Sequence, residues 1–246
     1  MKPKSHTLFH FTKSRETLQL ILKNGFWPRY CLEDVGWLGI PDADFVAYPM
    51  VCFCDIPLSR TDEHVTFYGD FGVGMSKEWA VKNNLNPVLY MASQNTLAKS
   101  LSDLASTAGT LSDTGEREVA LNNFRHLAGH IKPSEGTMVV AGKPVQKEFY
   151  QESEWRLIPR DPKISDYLAR SDFENVAGRD KENEKVKTQS MLKFVPNDVK
   201  YIFVSSDSDI PAIINFIQTE LDLFPSADLK VLMSRVTSIE SVSRDM

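Results

Sequence analysis

The chain has 246 residues, with 28 Lys and Arg against 33 Asp and Glu, and a net charge of −5, so a whole-protein basic footprint for nucleic acid is missing although a local patch is not excluded. Its 42% hydrophobic and 25% charged residues are those of an ordinary globular protein, and no apolar run approaches the ~18 residues of a membrane-spanning helix. The lysines near the N-terminus (Lys2, Lys4) are followed by no apolar stretch and predict no signal peptide, and an odd three cysteines suit a reducing cytosol.

Leu8 to Phe11 reads as a short strand. A helix is predicted from Ser14 to Asn24, where Leu18, Ile21 and Leu22 recur at i, i+3, i+4 and Gly25 forms the C-terminal cap. Phe26 to Tyr30 leads out of that cap, and Glu33 to Tyr48, with Gly36, Gly39, Pro41 and several acids, reads as a loop. Met50 to Cys54 is a nearly continuous apolar run and predicts a buried strand, followed by a short helix from Thr61 to Tyr68. Phe71 to Met75 is strand-like; its two glycines, Gly72 and Gly74, point to close backbone approach. Ser76 is placed to cap a helix carrying Trp79, and Pro87 to Met91 forms the next strand.

The middle of the chain is helical by pattern, at Asn95 to Ala105 and Glu116 to Ala128, with the Ser-, Thr- and Gly-rich linker Ser106 to Gly115 expected to be mobile. Strands are predicted again at Met138 to Val140, Trp155 to Ile158, Leu192 to Val195, Tyr201 to Val204 and Leu229 to Met233. Asp172 to Lys187 is dense in both charge signs and reads as an exposed loop or solvated helix. A helix starts at Asp209, with Pro211 in its first turn and Ile213, Ile214, Ile217 and Leu221 on its apolar face. Short strands with irregularly interposed helices predict an α+β fold. The chain reads as one domain with a helical insertion at about 95–130 and with Val51, Phe53, Trp79, Leu157 and Ile202 in its core.

Several motifs fail. Gly72-Val73-Gly74 lacks a third glycine at the dinucleotide-binding offset, and there is neither a P-loop nor a G-x-S-x-G elbow. Cys52 and Cys54 are too close for C-x-x-C zinc spacing and read as buried free thiols on one strand face. His126 and His130 lack the glutamate of a metalloprotease helix, and no metal is predicted. What remains is two polar residues in apolar runs. Glu154 heads a strand-like segment that continues to Ile158, and His10 interrupts Leu8 to Phe11. Two readings are open. In the first, the residues share a cleft, since buried carboxylates and imidazoles usually have a task. Alternatively, Glu154 pairs with Arg156 or a core lysine, and His10 hydrogen-bonds to backbone.

Three blocks of the chain resemble the AbiGi-type abortive-infection proteins of bacterial phage defence. The first is Leu8-Phe9-His10-Phe11-Thr12 with Asn24-Gly25-Phe26 and Pro28-Arg29-Tyr30-Cys31. The second is Met50 to Ser59, His64 and Tyr68 to Gly74, continuing through Lys77-Glu78-Trp79 and Asn86 to Tyr90, and the third is Tyr150 to Arg156. The resemblance covers most of the first 205 residues and implies a toxin–antitoxin arrangement in which this partner is the antitoxin.

A wider, topological resemblance is to ADP-ribosyltransferases. It implies an α+β fold with a mixed, mostly antiparallel sheet and NAD as substrate. In that family a first-strand His or Arg holds the cofactor, an aromatic ring stacks on nicotinamide, and a late-strand glutamate stabilises the oxocarbenium-like transition state. Carried over, His10, Thr12, Ser59, His64 and Tyr68 would bind cofactor, with Tyr90 or Phe71 as alternatives to the Tyr68 ring. Glu154 would be the catalytic glutamate, and Glu152, two positions away on one strand face, would activate the acceptor. Two function classes follow from these resemblances. One is an NAD-dependent ADP-ribosyltransferase in phage defence, acting on a protein or nucleic-acid acceptor. The other is a non-catalytic antitoxin that binds a partner toxin. Neither implies a membrane.

Overall fold

The computed structural model describes residues 5–40, 44–92, 95–140 and 143–245. In chain order the elements begin with β1 (Thr7–Thr12), α1 (Arg15–Asn24), β2 (Arg29–Asp34), β3 (Phe45–Cys54), α2 (Thr61–Tyr68), β4 (Phe71–Ser76), α3 (Lys77–Lys82), β5 (Asn86–Pro87) and β6 (Leu89–Met91). A helical pair follows, α4 (Thr96–Gly109) and α5 (Thr114–Ala128). Next come β7 (Ile131–Pro133), β8 (Glu135–Val140), β9 (Lys143–Glu148), β10 (Glu154–Leu157), β11 (Leu168–Ala169), α6 (Arg170–Glu174) and α7 (Val176–Ser190). The chain closes with β12 (Val199–Val204), α8 (Ile210–Glu220), α9 (Ser226–Met233), β13 (Val236–Ser238) and α10 (Ile239–Asp245).

The main sheet runs β13-β12-β4-β1-β3-β10-β5, with β2 and β11 pairing along the first half of β3. Every pairing in it is antiparallel except β12 with β13. The fold is therefore α+β with a mostly antiparallel sheet. The pairs β6–β7 and β8–β9 form separate two-stranded sheets. Among the described residues no helix is long and apolar enough to cross a membrane.

Strand alternation divides the core. Leu8, Val51, Phe53, Val73, Met75 and Ile202 lie on one side, under α1, α3, α8 and α9. Phe9, Phe11, Cys54 and Phe203 lie on the other, with Val65 and Tyr68 of α2 and Ile239 of α10. Of the predicted core, Val51, Phe53, Trp79 and Ile202 are buried, and Leu157 packs against them at the margin. Gly72 and Gly74 let β4 lie beneath the aromatic rings of β1. A Cβ at Gly72 would meet the Phe11 ring at 2.7 Å, and one at Gly74 the Phe9 ring at 3.0 Å. Ser14 and Ser76 cap α1 and α3, each side chain accepting a backbone N–H bond at 3.2 Å.

Some segments differ from the sequence reading. The predicted loop from Glu33 to Tyr48 contains the end of β2 and the start of β3, whose polar residues and Pro49 concealed the pattern; residues 41–43 lie outside the described chain. α4 extends to Gly109, so much of the expected mobile linker is helix. Leu192 makes a single bridge to Phe26 instead of starting a strand. Leu229 to Met233 belongs to α9, because a short apolar run does not distinguish a buried helix turn from a strand. The charge-dense segment takes the helical one of its two expected forms, as α6 and α7, and differs only in that α7 buries Asn183 and Val186.

Candidate functional site

β10 runs antiparallel to the second half of β3, with Glu154 opposite Cys54 and Arg156 opposite Cys52. Alternation therefore sends Glu154 and Arg156 to the Cys54 side of the sheet and Trp155 to the Phe53 side. Arg156 is 1% exposed and makes four hydrogen bonds: Nε to Glu154 Oε1 at 2.5 Å, Nη2 to Glu154 Oε2 at 3.3 Å and to Glu33 Oε2 at 2.9 Å, and Nη1 to the Gly129 carbonyl at 2.8 Å. Lys132, on β7, reaches Glu154 Oε2 at 3.1 Å and Glu152 Oε2 at 3.3 Å. Lys147, on β9, lies 2.6 Å from Glu152 Oε1, which also accepts from the Tyr68 hydroxyl. Three carboxylates and three cations thus alternate along one buried chain, Glu33, Arg156, Glu154, Lys132, Glu152, Lys147. Alternation offsets the desolvation that would make any one of these charges costly alone.

The protonation states follow. Burial pushes the Glu154 carboxyl up, but the Arg156 and Lys132 charges outweigh it and hold the group at about 2. Glu152 is likewise raised by burial and pulled below its ordinary value by Lys132 and Lys147. Burial lowers the Lys132 ammonium, yet Glu154, Glu33 and Glu152 raise it above the usual lysine range. Tyr68 is held neutral by burial and by the Glu152 charge.

Glu152 and Glu154 converge on Lys132 by a different route from the one expected. They do not share a strand face, because Glu152 ends a 3₁₀ turn (Phe149–Glu152) and the strand begins only at Glu154. Ser153 between them is left-handed, with φ 45° and ψ 51°, and this swings both carboxylates to one ammonium. The turn is anchored by the Ser153 carbonyl, which accepts from Asp55 N at 3.1 Å, and by the Tyr90 hydroxyl, which accepts from Glu154 N at 2.8 Å.

The structure brings together Glu154, Glu152, Tyr68 and His64, the last with its ring 4.5 Å from that of Tyr68. It does not bring His10 to them. His10 lies on the opposite face of the sheet, with its ring against Phe26 and Phe53 (centroids 5.2 and 5.5 Å) and Nδ1 donating to the Cys52 carbonyl at 2.8 Å. Burial lowers its pKa, so it sits there neutral. The expected convergence of His10 with Glu154 is thereby corrected; successive residues of a strand face opposite ways, and Phe9 and Phe11, not His10, point toward α2. Thr12 shares His10's side by the same alternation. Ser59 is exposed in the turn before α2 and does not line the cleft beside His64 and Glu152. For His10 and Glu154 the geometry matches the alternative set out from the sequence: backbone hydrogen bonding for one, an arginine and a core lysine for the other. Lys132, Lys147 and Glu33 escaped the sequence reading; the one signal was a lone cation within the apolar triplet Ile131-Lys132-Pro133.

Phe67, His64, Lys147, Gln151 and Glu152 line a cleft of about 70 Å³ beside this network. Small-molecule sites usually occupy ~300–1,000 Å³, so the cleft is too small for a dinucleotide such as NAD. Both Glu154 oxygens already accept from buried cations, Oε1 from Arg156 Nε and Oε2 from Lys132 and from Arg156 Nη2. A larger concavity of about 770 Å³ lies elsewhere, between α5 and the segment before α6, near Arg125, Arg160 and Tyr167, and contains none of the predicted site residues.

Comparison with known proteins gives a consistent picture. A family model described as putative abortive phage resistance protein AbiGi, antitoxin, matches residues 24–205. The chain is similar to the abortive phage resistance protein AbiGi of Lactococcus lactis subsp. cremoris, at 29% identity over 89% of this chain and 99% of that protein. No solved structure matches, so the ADP-ribosyltransferase likeness finds no counterpart there. With the matched region spanning all of β2 through β12, the chain belongs to the AbiGi family of abortive phage resistance proteins.

Proposed function

We propose that this protein is the antitoxin of an abortive-infection pair and that it neutralises a toxin by binding it, without turning over a substrate of its own. The observation that carries this reading is the state of Glu154. It is 7% exposed, with both oxygens on Arg156 and one of them also on Lys132. A carboxylate whose charge is balanced by two buried cations serves the fold, whereas a glutamate that stabilises an oxocarbenium directs its negative charge at the substrate. The family's description as an antitoxin supports the same reading.

The competing reading is an NAD-dependent ADP-ribosyltransferase. What favours it is the placement of Glu152, Tyr68 and His64 around one cleft. It requires the cleft to widen several-fold and a carboxylate to leave its cations. Two measurements on the unmodified protein separate the readings. The antitoxin reading expects rescue of cells expressing a cognate toxin and no nicotinamide release from NAD. Enzymatic nicotinamide release that disappears in Glu152→Gln would overturn it in favour of the enzyme.

A further inference from the structure

Lys147 belongs to the β8–β9 pair, which among the described residues has no strand pairing to the main sheet. A lone two-stranded pair is marginal in water, so its side-chain anchors matter. The Lys147 ammonium lies 4.1 Å from the centroid of the Phe67 ring, 4.7 Å from that of Tyr68, 3.4 Å from the Tyr68 hydroxyl and 2.6 Å from Glu152 Oε1. Two aromatic rings and a carboxylate around one cation have the composition of an ammonium-binding cage. His64, against Tyr68, adds no positive charge at neutral pH, because burial lowers its pKa to about 4. The cleft of about 70 Å³ opens beside Phe67, Lys147 and Glu152, giving the cage a route to solvent.

We propose that Phe67, Tyr68 and Glu152 form a recognition site for a lysine side chain, filled in the free protein by Lys147 and in the toxin complex by a lysine of the partner. The partner half of this proposal rests on the antitoxin reading; the cage half does not. Exchange of one ammonium for another leaves the buried charge balance unchanged, so no carboxylate is stranded.

The cage is tested with Lys147→Ala and n-propylammonium chloride, which replaces the chain beyond Cβ. The melting temperature of this variant should rise saturably with propylammonium, above any effect of equal sodium chloride. The parent protein and the Lys147→Ala, Glu152→Gln double variant should not respond. If Lys147→Ala does not fold unaided, its refolding yield with and without propylammonium reads the same site. An equal response of variant and parent, or no recovery of refolding, overturns the cage. The exchange is tested on the unmodified protein by acetylation footprinting. Lys147 should be protected when free and lose protection in the toxin complex, while Lys132 stays protected. Persistent protection of Lys147 in a neutralising complex overturns the exchange. Failure to form any complex removes the antitoxin reading and with it the exchange, and leaves the cage to be judged on propylammonium alone.

Discussion

The two faces of the main sheet are built on different physics. Under α1, α3, α8 and α9 the packing is apolar, and its one imidazole, His10, is neutral and tied to a backbone carbonyl. Around β10 on the other face, burial is tolerated because six charges alternate. An apolar core fails by degrees, in proportion to the volume removed. A buried ionic chain fails when one link is lost and its neighbours become unpaired, and it can be mended by removing those neighbours too.

The sharpest contrast uses one substitution on each face. Phe53→Ala should cost ~3–5 kcal/mol through a cavity among Phe26, Trp79 and His10. Arg156→Leu should cost a similar ~3–5 kcal/mol by leaving Glu154 and Glu33 without their shared cation. Urea unfolding measures both. The two then diverge: adding Glu33→Gln to Arg156→Leu should recover roughly 1–3 kcal/mol, since neighbouring charges couple. If the double variant is no more stable than Arg156→Leu, the network is not a charge-balanced chain.

Acid unfolding separates the contributions by pH. The folded pKa of Glu154 lies below its ordinary 4.5, at about 2, so its stabilisation is complete above the unfolded value and is lost as pH falls from about 4.5 to 2. His64 is depressed from 6.5 to about 4 by burial, so the unfolded chain binds its proton first and stability drops as pH falls through that window. His64→Phe should reduce the fall between pH 6.5 and 4, to which the lowered His10, His126 and His130 also contribute, and leave the lower limb. Glu154→Gln, though less stable throughout, should flatten the lower limb. An unchanged upper limb in His64→Phe would show that the imidazole is solvated.

The smallest effect is at Ser153. A left-handed non-glycine residue costs ~1–2 kcal/mol, so Ser153→Gly should be neutral to slightly stabilising and Ser153→Val clearly destabilising. Melting curves of the pair measure it. Equal loss in both would mean that the serine side chain, not the turn, holds Glu152 and Glu154 together.

The α+β class, the capped first helix, the buried Met50 to Cys54 segment and the family were legible in the sequence, because periodicity, caps and local residue runs are written along the chain. The sequence also marked Glu154 and His10 as polar groups in apolar runs and set out the partners they were found to have. It did not reveal β2 within a polar stretch, or α9 behind a short apolar run that fits strand and helix alike. The tertiary structure alone decided which face each residue serves. His10 and Glu154 look equivalent in sequence, but strand alternation and pairing place them on opposite sides of the sheet. It alone also chose Lys132 and Lys147 as partners. An ion pair depends on distance in space, and these lysines come from strands whose position is fixed by packing rather than by any local pattern.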